Sequence, residues 1–318
     1  MSLFTLDQLE SALTIVRKHV PATPQREWPL LSQRLGATLV VKHENHAPTG
    51  AFKVRGGLVY MERLKRERPQ VAGVISATTG NHGQSVAFAG RAFGVRAVIC
   101  VPHGNSPEKN AAMRALGAEL VEHGKDFDVA RMRAKEVAAE QKLEFINSFG
   151  SDLVLGVASV AHELLTAMRD LDVIYAPIGM GSCICGMITV RDLLGLKTEI
   201  VGVQAAGAPS YYLSWQQGRV VNTDSVNTKA DGLATRMPDA QSLEIIRRGA
   251  SRVVLVDDDA IAQAIRTYYT DTHNLIEGAG AAPLAAALAE KDQLRGKKVA
   301  VVATGGNLDL DLFRSWVR

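Results

Sequence analysis

The chain has 318 residues, with 36 basic and 33 acidic side chains and a formal charge of +3. Hydrophobic residues make up 47% and charged residues 22%, which excludes a disordered chain and suffices for one large or two ordinary domains. The charge balance leaves no basic field for nucleic acid, since "RLKRERP" at 63–69 reads as a solvated helix end, and no apolar stretch is long enough to cross a bilayer.

The first segment, "MSLFTLDQLESALTIVRKHV", carries acids and lacks a basic start followed by an apolar block. It reads as an amphipathic helix and not as a signal peptide. "PATPQREWP" breaks the pattern and reads as irregular, and "ATLVVKHE" is a short β-rich run. Strand-like and helix-like segments then alternate. "VAGVISATTG" precedes "NHGQSVAFAGRAFG", "VRAVICVP" precedes "SPEKNAAMRALG", and "AELVEHG" precedes "DVARMRAKEVAAEQ". Further on, "DVIYAPIG" leads into "SCICGMITVRDLLG", followed by "KTEIVGVQA", "SRVVLVD", "DDAIAQAIRTYYTDTH", "KKVAVVATGG" and "LDLDLFRSWV". The strands are short, β-branched and almost continuously apolar, while the helices keep a polar side. That combination predicts an α/β protein with mostly parallel sheets covered by helices on both faces.

Ser106 before Pro107 is a helix start, and Gly94 and Gly117 sit where left-handed residues stop helices. Residues 73–149 form three strand–helix units and are expected to make one small, mobile lobe. Residues 1–72 plus 150–318 are expected to make the other, interlocked with it because no flexible linker is visible. The three cysteines, Cys100, Cys183 and Cys185, give neither a CxxC pair nor a zinc spacing. Free thiols in the cytoplasm are the expectation.

Four stretches carry possible chemistry. In "PTGAFKVRG" at 48–56, Lys53 lies beside Phe52. Desolvation would lower the pKa of its amine, and only a neutral amine attacks a carbonyl; the alternative is a snorkelling surface lysine. Arg55 reads as structural. "TTGNHGQ" at 78–84 follows a buried strand, where the amides of Thr78, Thr79, Gly80 and Asn81 suit a carboxylate. His82 is there to pack, to cap a neighbour or to move a proton. "APIGMGSCICG" at 176–186 joins a strand to an apolar helix through Gly179 and Gly181, with the Ser182 hydroxyl nearby. Such a turn is a phosphate-sized anion cradle or simply a tight connection. It matches neither GxGxxG nor GxxxxGK[ST], so NAD and ATP fit poorly. Thr304 in "VVATGGN" leaves a buried strand, to meet a ring nitrogen or to cap its own backbone. Arg236 reads as solvated or paired, and Tyr211, Tyr212 and Trp215 as packing.

Taken jointly, "PTGAFKVRG", "TTGNHGQ", "PIGMGSCICG", "ADGLATRMPD" and "VVATGGNLD" stand in the order and spacing of the threonine/serine dehydratases. From about Thr5 to its last residue the chain resembles these pyridoxal-phosphate enzymes of the tryptophan-synthase-β-like fold, fold type II. The resemblance implies two open, twisted, mostly parallel-sheet domains of three layers, with the cofactor in the cleft. It implies that Lys53 holds pyridoxal 5'-phosphate through an imine and takes the Cα proton of the substrate. Phe52 would pack near the ring and Asn81 would hydrogen-bond its 3'-oxygen. Gly179, Met180, Gly181 and Ser182, followed by Cys183, would form the phosphate loop, and Thr304 would face the pyridine nitrogen. Thr78, Thr79, Gly80, Asn81 and His82 would hold the substrate carboxylate.

The chain departs from the family at three places. Met180 and Ser182 replace glycines of the phosphate loop. Gln204, Ala208 and Ser210 occupy the positions of a divalent-cation site, and two carboxylates are missing there, so no metal is expected. Thr79 stands where serine racemases have a serine, which disfavours racemisation.

The implied activity is β-elimination of a 3-hydroxy amino acid, L-threonine or L-serine, to a 2-oxo acid and ammonia. The alternatives are a dehydratase for 3-phenylserine or 3-hydroxyaspartate, a serine racemase, a β-replacement enzyme, or an amino-acid-binding regulatory protein. A homodimer is implied. The stop shortly after "TGGNLDLDLFRSWV" leaves no room for an appended effector domain, and a catabolic role is expected.

Overall fold

A computed structural model describes residues 3–317. Its ten strands are β1 (Gln25–Glu27), β2 (Thr38–His43), β3 (Val74–Ala77), β4 (Ala97–Val101), β5 (Glu119–Glu122), β6 (Glu144–Phe145), β7 (Val173–Pro177), β8 (Glu199–Ala205), β9 (Arg252–Val256) and β10 (Lys298–Ala303). They form two sheets, one of six strands in the order β1-β2-β10-β7-β8-β9 and one of four in the order β5-β4-β3-β6. Every pairing is parallel except β1 with β2. The apolar, β-branched runs seen in the sequence become the central strands, buried at every residue in β3, β4 and β7, because helices cover both faces of a parallel sheet.

Chain order and sheet order diverge at two places. From β3 the chain steps outward through β4 and β5 and then returns to β6 on the other side of β3. In the larger sheet, β10 returns to lie between β2 and β7. Such reversals open a crevice beyond the carboxyl ends of the strands. Thr78 and Thr304 follow directly on those ends, and Gly179 lies one residue further on.

The stretch "PATPQREWP" was expected to be irregular, yet it contains β1, and the helix Pro29–Leu35 follows it at once. A three-residue strand with two exposed positions has no apolar alternation to read; it exists because it pairs with β2 from Gln25↔Lys42 to Glu27↔Val40. The expected helix punctuation is present. The Ser106 hydroxyl accepts from the Lys109 amide, and Gly94 ends its helix at φ 65°.

One helix, Lys53–Glu67, bridges the two sheets. Its Val54, Leu58 and Met61 belong to the core beneath the four-stranded sheet, together with Val74 and Ile99. It also packs against the helices Asn81–Phe93 and Ser151–Ala167, and both contacts are glycine-dependent. A Cβ on Gly156 would lie 2.2 Å from the Arg55 carbonyl oxygen, and one on Gly57 would lie 2.3 Å from Ser85 Oγ. The Ser85 hydroxyl donates to the Lys53 carbonyl at 2.7 Å. Small residues therefore let three backbones clamp the turn that starts with Lys53.

Candidate active site

Between the carboxyl ends of the strands lies a cavity of about 1170 Å³, lined by Lys53, Asn81, Ser182, Glu277 and Thr304 among others. Lys53 is the first residue of its helix. Its Nζ lies 3.5 Å from Ser182 Oγ and 5.2 Å from the centre of the Phe52 ring. Burial lowers its pKa to about 8, with the Cys183 thiol and the Glu277 carboxyl opposing that shift. A substantial fraction of the amine is therefore neutral near physiological pH.

Four helices begin in the wall of this cavity, at Lys53, Asn81, Ser182 and Gly278, and none has a side-chain cap. Helices starting after Thr5, Ser106, Asp126, Asp239 and Asp257 are capped by those side chains, and those starting at Pro29, Ser151 and Ser210 are uncapped as well. An uncapped helix start leaves backbone N–H groups without partners and a partial positive charge. Here those donors face space large enough for a ligand, which favours an anion.

The cradle at 179–182 is shaped by glycine. Gly181 has φ 96°, a conformation that a side chain rarely adopts. A Cβ on Gly179 would lie 2.2 Å from the Gly232 carbonyl oxygen. Met180 packs its side chain against the core, and its carbonyl accepts from the Tyr211 hydroxyl at 3.0 Å. Tyr211 is fully buried and also meets Ser242 Oγ at 2.5 Å, so it braces the turn from behind. Neither it nor Tyr212 nor Trp215 lines the cavity. Cys183 is buried with its pKa pushed up to about 12 by burial, so it stays a thiol.

Across the cavity, the Thr78 hydroxyl accepts from the Gly80 amide at 3.1 Å and fixes the turn before Asn81. Thr79, Gly80 and His82 line the same wall. Burial lowers the His82 pKa to about 3, helped by the nearby Lys53 charge, and its Nε2 is buried with no partner. The imidazole is neutral at working pH. Thr304 is 1% exposed, and its carbonyl accepts from the Phe52 amide at 3.0 Å, tying β10 to the residue before Lys53.

The chain matches the family model described as "Pyridoxal-phosphate dependent enzyme" over residues 16–305. It belongs to that family. It is 38% identical to L-threonine ammonia-lyase of Geobacter sulfurreducens over 93% of this chain and 73% of the relative. It is 31% identical to L-threonine ammonia-lyase of Thermotoga maritima over 98% of this chain and 77% of the relative. Among solved structures, the processed form of threonine deaminase isoform 2 from Solanum lycopersicum aligns with a TM-score of 0.91 and 31% identity, over 98% of this chain and 92% of that one. Maize serine racemase aligns with a TM-score of 0.92 and 27% identity, over 98% and 96%. The fold is therefore fold type II, as the motifs implied, and the cofactor is pyridoxal phosphate. The donor set fits it: glycine-shaped amides for a phosphate, a desolvated amine beside them for an aldehyde, and the orphaned His82 nitrogen for a further polar contact.

Other residues of this pyridoxal-phosphate enzyme's cavity went unread in the sequence. Glu277 precedes the helix Gly278–Ala289, and its Oε1 accepts from Asn81 Nδ2 at 2.7 Å. Its signal was one acid in the otherwise uncharged run "NLIEGAGAAPLAAALA". Lys109 passes its stem over Gly80, where a Cβ would meet Lys109 Cδ at 3.2 Å, and its Nζ reaches Asp231 at 2.7 Å. Arg236 is paired, with Asp128 and with the Asp224 carbonyl. At the positions compared with a cation site, Gln204 Oε1 accepts from the Tyr212 amide at 3.0 Å and Ser210 Oγ donates to the Thr235 carbonyl at 2.6 Å.

Proposed function

We propose that the chain releases ammonia from a small 3-hydroxy amino acid, L-threonine or L-serine, leaving a 2-oxo acid. The observation that carries this reading is the low-pKa amine of Lys53, 3.5 Å from the serine that opens the anion cradle. Bound pyridoxal phosphate supplies an electron sink that acidifies the Cα–H of an attached amino acid. In this reading Lys53 takes that proton, a role its pKa near neutrality suits. The amides from Thr78 to His82 hold the substrate carboxylate and so fix the direction of the Cα–H bond. Gly179, Met180, Gly181, Ser182 and the adjoining Cys183 hold the phosphate, and Phe52 backs the ring.

The Thr304 hydroxyl carries no charge to keep a ring nitrogen protonated, and this supports elimination over transamination. Asn81 is assigned to the ring's 3'-oxygen. Relatives named for threonine ammonia-lyase and threonine deaminase activity support the substrate class, and the extra methyl of Thr79 argues against racemisation.

Residues 73–149 form the small mobile lobe and the rest the larger one in this proposal, a division supported by the separate sheets and the ion pairs at the cavity mouth. A homodimer in the cytoplasm completes it, with three free cysteines in keeping. Among the described residues no helix is long and apolar enough to cross a membrane.

Two measurements test the reading. Lys53→Ala should lose both turnover and the near-visible absorbance of bound cofactor; full activity in that variant sinks the assignment. A panel of 3-hydroxy amino acids, each with both configurations at Cβ, should give 2-oxo acid fastest from threonine or serine. A preference for 3-phenylserine or 3-hydroxyaspartate would replace the substrate.

A further inference from the structure

Asn81 is held from two sides by side chains that want opposite things from its amide. On one side, Glu277 Oε1 accepts from Asn81 Nδ2 at 2.7 Å. On the other, Asn307 Nδ2 donates to Asn81 Oδ1 at 2.7 Å, and the same nitrogen donates to the Thr49 carbonyl at 2.8 Å. Asn307 is itself oriented by that backbone carbonyl, since only its NH₂ end can meet an acceptor. Glu277 is fixed through its own backbone, whose amide donates to the Gly305 carbonyl at 3.0 Å. All three side chains line the cavity.

We propose that Glu277 is a positioning residue that, with Asn307, sets which way the Asn81 amide faces and so presents only an N–H to the ligand. The inference rests on the reading that a pyridoxal ring lies against Asn81. An amide has one oxygen and two N–H groups. Here the oxygen is taken by Asn307 and one N–H by Glu277, which leaves a single N–H toward the cavity. Turning the amide over would set its oxygen against the Glu277 carboxylate and its NH₂ against the Asn307 NH₂. Both contacts would then be repulsive, in a partly desolvated place where unmade hydrogen bonds are costly. The ligand atom opposite Asn81 must therefore be an acceptor, such as an ionised ring hydroxyl.

The orientation is coupled to pH. Burial raises the Glu277 pKa to about 7, against the pull of the Asn81 hydrogen bond and the Lys109 charge and with the push of Asp231. Lys53 is the other charged group that senses it. Below neutrality Glu277 gains a proton and ceases to demand a donor.

The test has a readout that needs no cofactor. In apo-protein labelled with ¹⁵N-asparagine, the Asn81 side-chain amide is assigned by its loss in Asn81→Ala. In the unmodified chain its resonance should titrate with a midpoint near pH 7. In Glu277→Gln, which keeps an acceptor oxygen without a proton to lose, it should hold one position across that range. In Glu277→Ala it should move toward a solvent-exposed amide. An Asn81 resonance that is the same in Glu277→Ala as in the unmodified chain overturns the proposal.

The second readout is the affinity of each apo-protein for pyridoxal phosphate, with folding checked by circular dichroism. Alanine should weaken it by roughly tenfold, the worth of one hydrogen bond to a charged group, and glutamine by far less. A loss with glutamine as large as with alanine would mean that charge and not orientation matters, and would also overturn it. Lys53→Ala runs alongside: if it keeps the cofactor absorbance, the reading of the site fails, whatever the amide signal does.

Discussion

Two groups of ion pairs flank Lys53 and make opposite use of the same residue types. Two residues along the helix, Arg55 bridges Glu44 at 2.8 Å and Glu163 at 2.7 Å, and Lys42 meets Glu163 at 2.6 Å. The side chains of Lys42, Glu44 and Arg55 have no exposed surface. Thr23 and Ser159 take up remaining donors and acceptors. Two cations and two anions cancel, and they bind β2, the Lys53 helix and the helix Ser151–Ala167 into one piece. At the cavity mouth, Arg236 meets Asp128, at 41% and 40% exposure, and Lys109 meets Asp231, with Asp231 54% exposed and Lys109 11%. Each of these pairs joins the four-stranded unit to segments of the larger sheet's unit. A charge that cannot reach water must keep its partner, whereas one at the surface can exchange it for solvent. The first group is suited to fixing the lysine and the second to letting the cleft open.

Arg55→Met leaves two buried carboxylates facing Lys42 alone. The expected loss is about 3–5 kcal/mol of stability, the cost of breaking a buried pair, measured by chemical denaturation. A loss below about 1 kcal/mol, the range of exposed pairs, would show that the buried cluster is no more rigid than the mouth.

Between the two regions lies the pH response of Lys53. Its pKa is lowered from 10.5 to about 8, chiefly by burial, so the neutral amine is the minority form below pH 8. The rate at which apo-protein captures pyridoxal phosphate should rise about tenfold per pH unit on the acid side of that value and level off above it. Stability has a matching sign: from about 8 to 10.5 the unfolded chain holds the proton that the folded chain has released, so Lys53 adds stability as pH rises through that window. A capture rate still climbing past pH 10 would mean that the amine is solvated and not buried.

A smaller effect is expected at the mouth itself. Asp128→Asn, which removes the partner of the exposed Arg236, should cost less than about 1 kcal/mol in stability while raising KM at low ionic strength. Added salt should erase the difference between variant and parent, because exposed pairs are screened. An effect on KM that persists at high salt would mean that Arg236 and Asp128 act as a buried pair does.

These two regions also mark how much the sequence discloses. The central strands and the turns at 78–84, 179–183 and 304–307 were legible because each is a local pattern: a β-branched run, then glycine, threonine or serine at its end. Lys53, Asn81, the 179–183 loop and Thr304 were named through the joint resemblance of these stretches to one family, and they do meet in one cavity. The ion pairs could not be read. Glu163 joins Arg55 from 108 residues away and Glu277 joins Asn81 from 196 away, and no local spacing reports a tertiary neighbour. Arg55 was read as structural without its partners, and Glu277 was missed. β1 was missed for the related reason that its only support is the strand beside it.

The smallest effect expected comes from a third polar cluster, buried like the Arg55 group yet uncharged. Gln204 and Ser210 are fully buried. The Gln204 oxygen is engaged by the Tyr212 amide and the Ser210 hydroxyl by the Thr235 carbonyl. A divalent cation needs charged oxygen ligands to offset its dehydration, and these two residues bring none. Thorough chelation should leave turnover unchanged, measured before and after adding back magnesium or calcium. A loss restored only by the metal would mean that carbonyl oxygens alone suffice there, and that net charge is not what separates one buried polar cluster from another.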